Sequence, residues 1–565
     1  MKKNKRVKRI AAFLLAVLLS AGILSGCDDG RGGDHGGLSA EQAEDTLEAL
    51  LTKVTVTQVP AELDLEGTDV NDLSAELPEI ENYPCSVVGN AALNIEIMAS
   101  TEKGVRAQSG KNIDGWLVDA AERFNQEGFT VEGKSVSVSI RPVASGMASD
   151  YIVSGKYVPA GFTPSNTLWA GLIEGKSGPL TVVAERMAGN TAGILMSQRR
   201  YDDFVESHGA VTLETVAEAV LAQELLLGYT NPYTSSTGLN MLYHMLSTFD
   251  PADPLSDTAK SKLEAMQKNI PSTSFTTTQM REIAEKGVID AMVMEYQSYI
   301  NIDSLKDYVF TPFGLRHDNP LYATEAAGPE EQAVLARFAE YCQTAPIQKL
   351  AEEVGFNTMD DYGGSGLSVD GEMLRAAQAV WKEKKDAGQP VVAVFVTDIS
   401  GSMDGTPITE LKSSLLNASQ YIGEENYVGL VSYNSDVYVN LPVEQFSNVQ
   451  RAGFNGAVKG LTALGGTATY DAVLVAADML LKKKEEIPNA KLMMFLLSDG
   501  EQIDGYNYGK VAPVVEGLHI PVHTICYGVE IEEMKELSQL NEASNIQASP
   551  EDVVYNLKNM FNAQM

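Results

Sequence analysis

Positive charge is scarce in this chain. Its 565 residues carry 42 Lys and Arg against 76 Asp and Glu, a formal net charge of −34. That deficit excludes the broad basic face with which proteins grip a phosphate backbone, and nucleic acid with it. It also excludes a wide electrostatic hold on an anionic membrane, while favouring solubility and the attraction of cations. Cysteine is nearly absent: four residues, far apart, which is no disulfide framework. The six His are scattered; His519 and His523 are four apart, but Pro521 breaks any helix between them, so they frame a strand. With 22 Pro and 48 Gly the chain is neither repetitive nor collagen-like. Long apolar runs are missing after the first residues, so no later segment is apolar enough to cross a bilayer. What remains, 44% hydrophobic residues over a length suited to about three domains, can bury a sizeable core.

The first residues are a processing segment. Lys2, Lys3, Lys5, Arg6, Lys8 and Arg9 precede an apolar run from Ile10 to Leu24, and Leu24-Ser25-Gly26-Cys27 follows. Basic, then apolar, then small is the order of a secretory signal. The run is short for an uncleaved span of about 20 residues. The small residues ahead of Cys27 resemble the lipobox of bacterial lipoproteins. The resemblance implies a signal peptide over 1–26, lipid on Cys27, and an extracytoplasmic protein anchored to the cell membrane and displayed at the cell surface. The Gly- and Asp-rich stretch after Cys27 has a composition that forms no core, and 27–90 is read as a tether with an acidic segment. A Cys85–Cys342 pairing stays open at this level; Cys526 lies in an apolar run that suits a buried thiol.

From Leu93 onward, strands alternate with helices, the pattern of α/β domains with a largely parallel sheet. Residues 91–356 form one such domain; 357–384 read as a Gly-rich linker and a joining helix; 385–565 form a second α/β domain. In the latter, Val391 to Thr397 is continuously apolar, as in a strand buried on both faces. It runs into Asp398-Ile399-Ser400-Gly401-Ser402. Two more turns carry oxygen side chains, Gly465-Gly466-Thr467 and Ser498-Asp499-Gly500. Ligands of open α/β sheets gather at the carboxyl ends of strands. Asp398, Ser400, Ser402, Thr467 and Asp499 offer only oxygen donors, the preference of Mg2+, with Mn2+ or Ca2+ also admitted. Thr469 competes with Thr467 for its place.

These residues resemble the metal-ion-dependent adhesion site (MIDAS) of the von Willebrand factor A domain: Asp-x-Ser-x-Ser, a later Thr and a later Asp. The resemblance implies a doubly wound, Rossmann-like fold over 385–565. It also implies a magnesium ion with one open coordination position, filled by an acidic side chain of a protein partner.

Residues 91–356 resemble the extracellular solute-binding proteins of ABC transporters. The resemblance rests on the segments 95–102, 159–169, 228–238 and 287–299, in that order. It implies a two-lobed, periplasmic-binding-like fold with a polar ligand between the lobes. Ser100, Thr101, Ser165, Asn166, Ser235, Ser236 and Thr237 are the positions placed in the cleft, while helix capping explains any one of them equally well. Glu295 and Tyr296 either reach the cleft or end a strand; Trp169 reads as packing. Gly171 to Ser177 lacks the spacing of a P-loop and reads as a surface turn, and Ser365 in Gly-Gly-Ser-Gly reads as linker. The expected activity is therefore binding, not catalysis: magnesium-dependent adhesion joined to solute sensing or a scaffold. The alternative is the substrate-binding subunit of an ABC importer.

Overall fold

The structure is a computed structural model that describes residues 37–60, 62–64, 77–105, 115–270, 273–274, 280, 284, 289–367, 370–500, 502–528, 531–541, 543–548 and 553–565. The signal segment and Cys27 lie outside the described residues. Among those described, no helix is long and apolar enough to cross a membrane.

Strand Val391–Asp398 is the axis of the C-terminal domain, buried along all eight residues. It pairs in parallel with Tyr427–Tyr433 on one side and Lys491–Ser498 on the other. The seven-stranded sheet continues through Val522–Tyr527 to Asn545–Ala548 at one edge, and through the antiparallel Val437–Gln445 to Val56–Gln58 at the other. Alternation splits the core. Val391, Ala393 and Phe395 face one layer of helices, and Val392, Val394 and Val396 the other. This double burial explains the unbroken apolar run. Phe395 stacks on Phe495 with centroids 5.0 Å apart and meets Phe561 edge-on at 5.2 Å.

The edge strand Val56–Gln58 departs from the tether reading. Helix Ala40–Leu51 buries Ala43, Leu47 and Leu50, the last two in the core of the C-terminal domain. Its N-terminus is held by a capping box between Ser39 and Gln42. The next residues add a parallel strand to the same sheet, with Val56 opposite Val437. Farther on, Asp64 N–H donates to the Ala452 carbonyl at 3.0 Å. Burial of three apolar residues on one helix face is what fixes a segment of otherwise acidic composition.

Between these pieces sits a two-lobed α/β domain. One lobe has a six-stranded sheet ordered Thr130–Val131, Lys134–Pro142, Leu93–Ala99, Gly161–Thr163, Leu321–Ala323, Thr181–Ala184. The other has five strands ordered Tyr308–Arg316, Thr191–Ser197, Ala291–Glu295, Leu227–Thr230, Thr273–Ser274. The chain crosses between lobes twice, after Thr181–Ala184 and after Tyr308–Arg316. The sheets are mixed, not largely parallel as the alternation suggested. The strands on either side of the crossings pair antiparallel with their neighbours. Gly171 to Ser177 is helical, the end of Leu168–Ser177, not a turn.

The expected linker is strapped down. Ser365 N–H donates to the Gly314 carbonyl at 2.9 Å, and Ser365 Oγ lies 2.7 Å from His244 Nε2. Helix Gly371–Lys384 then buries Leu374, Ala377 and Trp381 in the two-lobed domain, and Trp381 Nε1 donates to Tyr229 Oη at 2.7 Å. Cys85 and Cys342 form no disulfide, which closes the question of a bridge between them, and Cys526 Sγ lies 3.9 Å from Met534 Sδ. Cys342 sits fully buried in the first lobe's core.

Candidate metal centre and interlobe cleft

Asp398 ends the central strand with its side chain fully buried. Ser400 N–H donates to Asp398 Oδ1 at 2.8 Å, and Ser498 Oγ donates to Oδ2 at 2.5 Å. Ser400 Oγ lies 3.0 Å from Ser402 Oγ, and Ser402 Oγ donates to Asp499 Oδ1 at 2.8 Å. Four of the five expected residues thus form one hydrogen-bonded chain across the ends of two adjacent parallel strands. Thr467 is buried on a third loop, joined to the first by Gly401 N–H to the Gly465 carbonyl at 2.9 Å. Gly465 adopts φ +93°, where a side chain is strained, and a Cβ on Gly466 would lie 1.9 Å from Asp504 Oδ2. These two glycines let the Thr467 loop pack against the Gly401 backbone and Asp504. Thr469, the competitor, opens helix Thr469–Glu486.

Burial raises the Asp398 carboxyl above its ordinary range, and the nearby Asp499 charge adds to this against the hydrogen bonds from Ser498 and Ser400. Among the described residues no Lys or Arg forms an ion pair with either carboxylate. Two carboxylates and three hydroxyl side chains, with a buried anion lacking a counter-charge, fit a hard divalent cation. The described residues hold no cluster of three His, Cys, Asp or Glu, so an ion here would rest on hydroxyl oxygens beside the two carboxylates. Asp398, Ser400 and Thr467 are buried, whereas Ser402 is exposed and Asp499 half-buried, so the centre opens on that side. Ser498, part of the oxygen-bearing turn but outside the five-residue pattern, and Tyr433, which carries no motif and whose hydroxyl is 3.4 Å from Asp398 Oδ2, complete the surroundings of Asp398.

The second site is a cavity of about 380 Å³ between the lobes. Thr101, Ser165, Ser235, Ser236 and Thr237 line it. Ser100 and Asn166 lie behind its wall. Ser100 Oγ bonds Glu102 and the fully buried Lys103, and Asn166 Nδ2 sits 3.1 Å from His317 Nε2. Ser235 caps helix Ser236–Phe249 by accepting from Gly238 N–H at 3.3 Å, and Ser236 Oγ accepts from Trp169 Nε1 at 2.8 Å. Tyr296 opens a short helix, while Glu295 reaches the cavity and pairs with His317 Nδ1 at 2.6 Å.

Glu102, the last residue of the 95–102 segment, also lines the cavity. Burial alone would raise its carboxyl; the Lys103 ammonium and the Ser100 and Ser165 hydroxyls outweigh this and hold it below the usual range. The same burial lowers Lys103, against the pull of Glu102 and Glu295. No sequence signal pointed to the other wall. Tyr555, Asn556 and Asn559 of the terminal helix Val553–Gln564 line the cavity. Tyr555 Oη donates to Asp150 Oδ2 at 3.0 Å, and Asn231 Nδ2 donates to the Asn559 carbonyl at 3.3 Å. The opposite side of that helix puts Val553, Leu557, Met560 and Phe561 into the core beside the central strand.

Residues 393–564 match the von Willebrand factor type A domain family, a general protein-interaction and adhesion module that commonly binds a divalent metal. An uncharacterized protein, sll0103, of Synechocystis sp. is 28% identical over 166 residues, 29% of this chain. The chain spans 38% of that relative's own length. A von Willebrand factor type A structure from Catenulispora acidiphila shares 21% identity over 31% of this chain and 43% of its own, with a TM-score of 0.29. A putative extracellular solute-binding protein from Bordetella parapertussis shares 15% identity over 52% of this chain and 99% of its own, with a TM-score of 0.35. The fold is α/β, a two-lobed domain joined to a domain that matches the von Willebrand factor type A family over residues 393–564.

Proposed function

We propose that this chain is a lipid-anchored, extracytoplasmic binding protein that engages a protein partner through a magnesium ion at Asp398, Ser400, Ser402, Thr467 and Asp499. One observation carries the reading: the unbroken hydrogen-bonded chain from Asp398 through Ser400 and Ser402 to Asp499, buried at one end and open at the other. The ion, when bound, supplies a Lewis-acidic position for a carboxylate from the partner. The protein's own residues do the rest. Asp398 is fixed by Ser498 and by the Ser400 amide, Ser402 and Asp499 face solvent, and the Gly465-Gly466 turn presents Thr467. Mn2+ and Ca2+ meet the same oxygen set. Binding, not turnover, is the activity.

Native mass spectrometry of the chain before and after chelator tests this. The expected result is one divalent ion, lost with chelator and absent from Asp398→Ala, with magnesium-dependent capture of the partner lost in parallel. An ion retained by Asp398→Ala sinks the assignment.

The second reading, a substrate-binding subunit of an importer, draws on the interlobe cavity and on the expected residues Thr101, Ser165, Ser235, Ser236 and Thr237 that line it. A co-purifying organic mass that shifts the melting temperature, with the shift lost in the Ser235→Ala, Ser236→Ala double variant, favours sensing or transport. An undiminished shift removes those residues from the site.

A further inference from the structure

A different cavity, about 630 Å³, opens where the two-lobed domain meets the von Willebrand type domain. Its volume is in the range that holds a small organic ligand, and domain interfaces are where such sites occur most often. Its charge is the reverse of the whole molecule's. In a chain of net charge −34, the described residues lining this cavity include Lys176, Arg375, Lys382 and Lys558 but a single carboxylate, Asp150. Asp150 Oδ2 already accepts from the Tyr555 hydroxyl.

Neutral groups position the cations. Lys382 Nζ donates to the Tyr421 carbonyl at 2.8 Å and to Asn562 Oδ1 at 2.6 Å. Arg375 Nη1 donates to the Leu172 carbonyl at 3.0 Å. Lys558 Nζ lies 5.4 Å from the Tyr421 ring centre, a cation–π distance. Among the described residues neither Lys382 nor Arg375 forms an ion pair with a carboxylate. The Gln420 amide nitrogen, on the same wall, is buried without a hydrogen-bond partner among the described residues. Burial, reinforced by the Lys385 charge, drives Lys382 down to about 7, against the attraction of Glu425 and Asp386. An ammonium so placed, an unsatisfied amide donor and an Arg with donors to spare are the complement of a multiply charged oxyanion.

We propose that this interdomain cavity binds a small phosphorylated molecule, its phosphate groups on Lys382, Arg375, Lys176 and the Gln420 amide and its body against Tyr421. Every wall but that of Gln420 and Tyr421 belongs to the two-lobed domain or the terminal helix, so the ligand touches both domains at once. The site stands apart from the magnesium centre and needs no metal.

The test is calorimetric titration of the full chain with inorganic pyrophosphate at fixed ionic strength. Chelator is present throughout, so the metal centre contributes nothing. Saturable binding is expected, weakened at least tenfold in Lys176→Glu with Arg375→Gln. The exposed Lys176→Glu alone, which leaves every described hydrogen bond intact, is expected to weaken it several-fold. No saturable heat at millimolar pyrophosphate overturns the proposal, and so does an affinity unchanged by Lys176→Glu. Citrate binding more tightly than pyrophosphate overturns the phosphate assignment. Metal loss in Asp398→Ala is read separately, so failure here leaves the adhesion reading untouched.

Discussion

The two candidate sites are built in opposite ways. The metal centre draws on three loops of one sheet, and four of its five residues are linked through hydrogen bonds no longer than 3.0 Å. The interlobe cleft gathers residues from Thr101 to Asn559, and one wall comes from a helix that also anchors the other domain. A site at neighbouring strand ends is fixed by its own sheet. A site between lobes is fixed only when distant parts of the chain pack together. The first should tolerate damage elsewhere; the second should not.

The hardest blow to this contrast is Phe561→Ala. Phe561 touches Phe395 and Phe495 on the metal domain's central strands, with centroids 5.2 and 5.1 Å away. A loss of about 3–5 kcal/mol is expected in chemical denaturation. It should fall on both domains, because Tyr555 and Ala563 of the same helix sit in cores of the two-lobed domain. A loss confined to the metal domain would show that the cleft does not depend on the terminal helix.

Acid should strike both domains alike. Burial lowers His244 in the two-lobed domain and His523 in the metal domain, each from 6.5 to about 4. His523 Nδ1 accepts from Ser544 N–H at 3.1 Å, which requires the neutral ring. A base with a depressed folded value contributes stability that is present above about 6.5 and lost as pH falls toward 4. The cost is about 3 kcal/mol for each ring over that window. Denaturation midpoints measured between pH 7 and 4 should fall, and His523→Asn should flatten the slope for the metal domain only.

Tyr555→Phe removes the bond to Asp150 that ties the terminal helix to the first lobe. A loss of about 1.5–3 kcal/mol is expected, and a double-mutant cycle with Asp150→Asn isolates the pair. The mildest change is Ser235→Ala, which strips the N-cap from helix Ser236–Phe249 and costs about 1 kcal/mol. Metal binding should stay as it was; a weakened metal site in this variant would break the contrast.

The metal loops were legible because their chemistry is written at fixed offsets from a strand buried on both faces. Central strand, oxygen-bearing turns and flanking helices all left periodic signals. The rest left few. Val56–Gln58 is three exposed residues with no alternation, and only its partner Val437–Gln445 makes it a strand. The Gly-rich stretch before residue 370 has linker composition, yet the Ser365 amide and the Tyr362 hydroxyl both donate to the Gly314 carbonyl and hold it down, and composition does not report tertiary bonds. The terminal helix shows one apolar face in sequence; that its other face lines a cavity whose remaining walls come from between Thr101 and Ser298 has no periodic trace. Lys103, which organises Ser100 and Glu102 from full burial, is a residue type ordinarily assigned to the surface.

The strand Val56–Gln58 also decides how the molecule bears tension. It joins the sheet that carries the metal loops at its far edge, so residues 38–58 and the terminal helix both belong to the metal domain, and the two-lobed domain is an insertion within it. A pull between residue 38 and the Asp499 loop travels through one sheet. The two-lobed domain lies off that line of force, braced against the sheet's own terminal helix by the Tyr555–Asp150 bond.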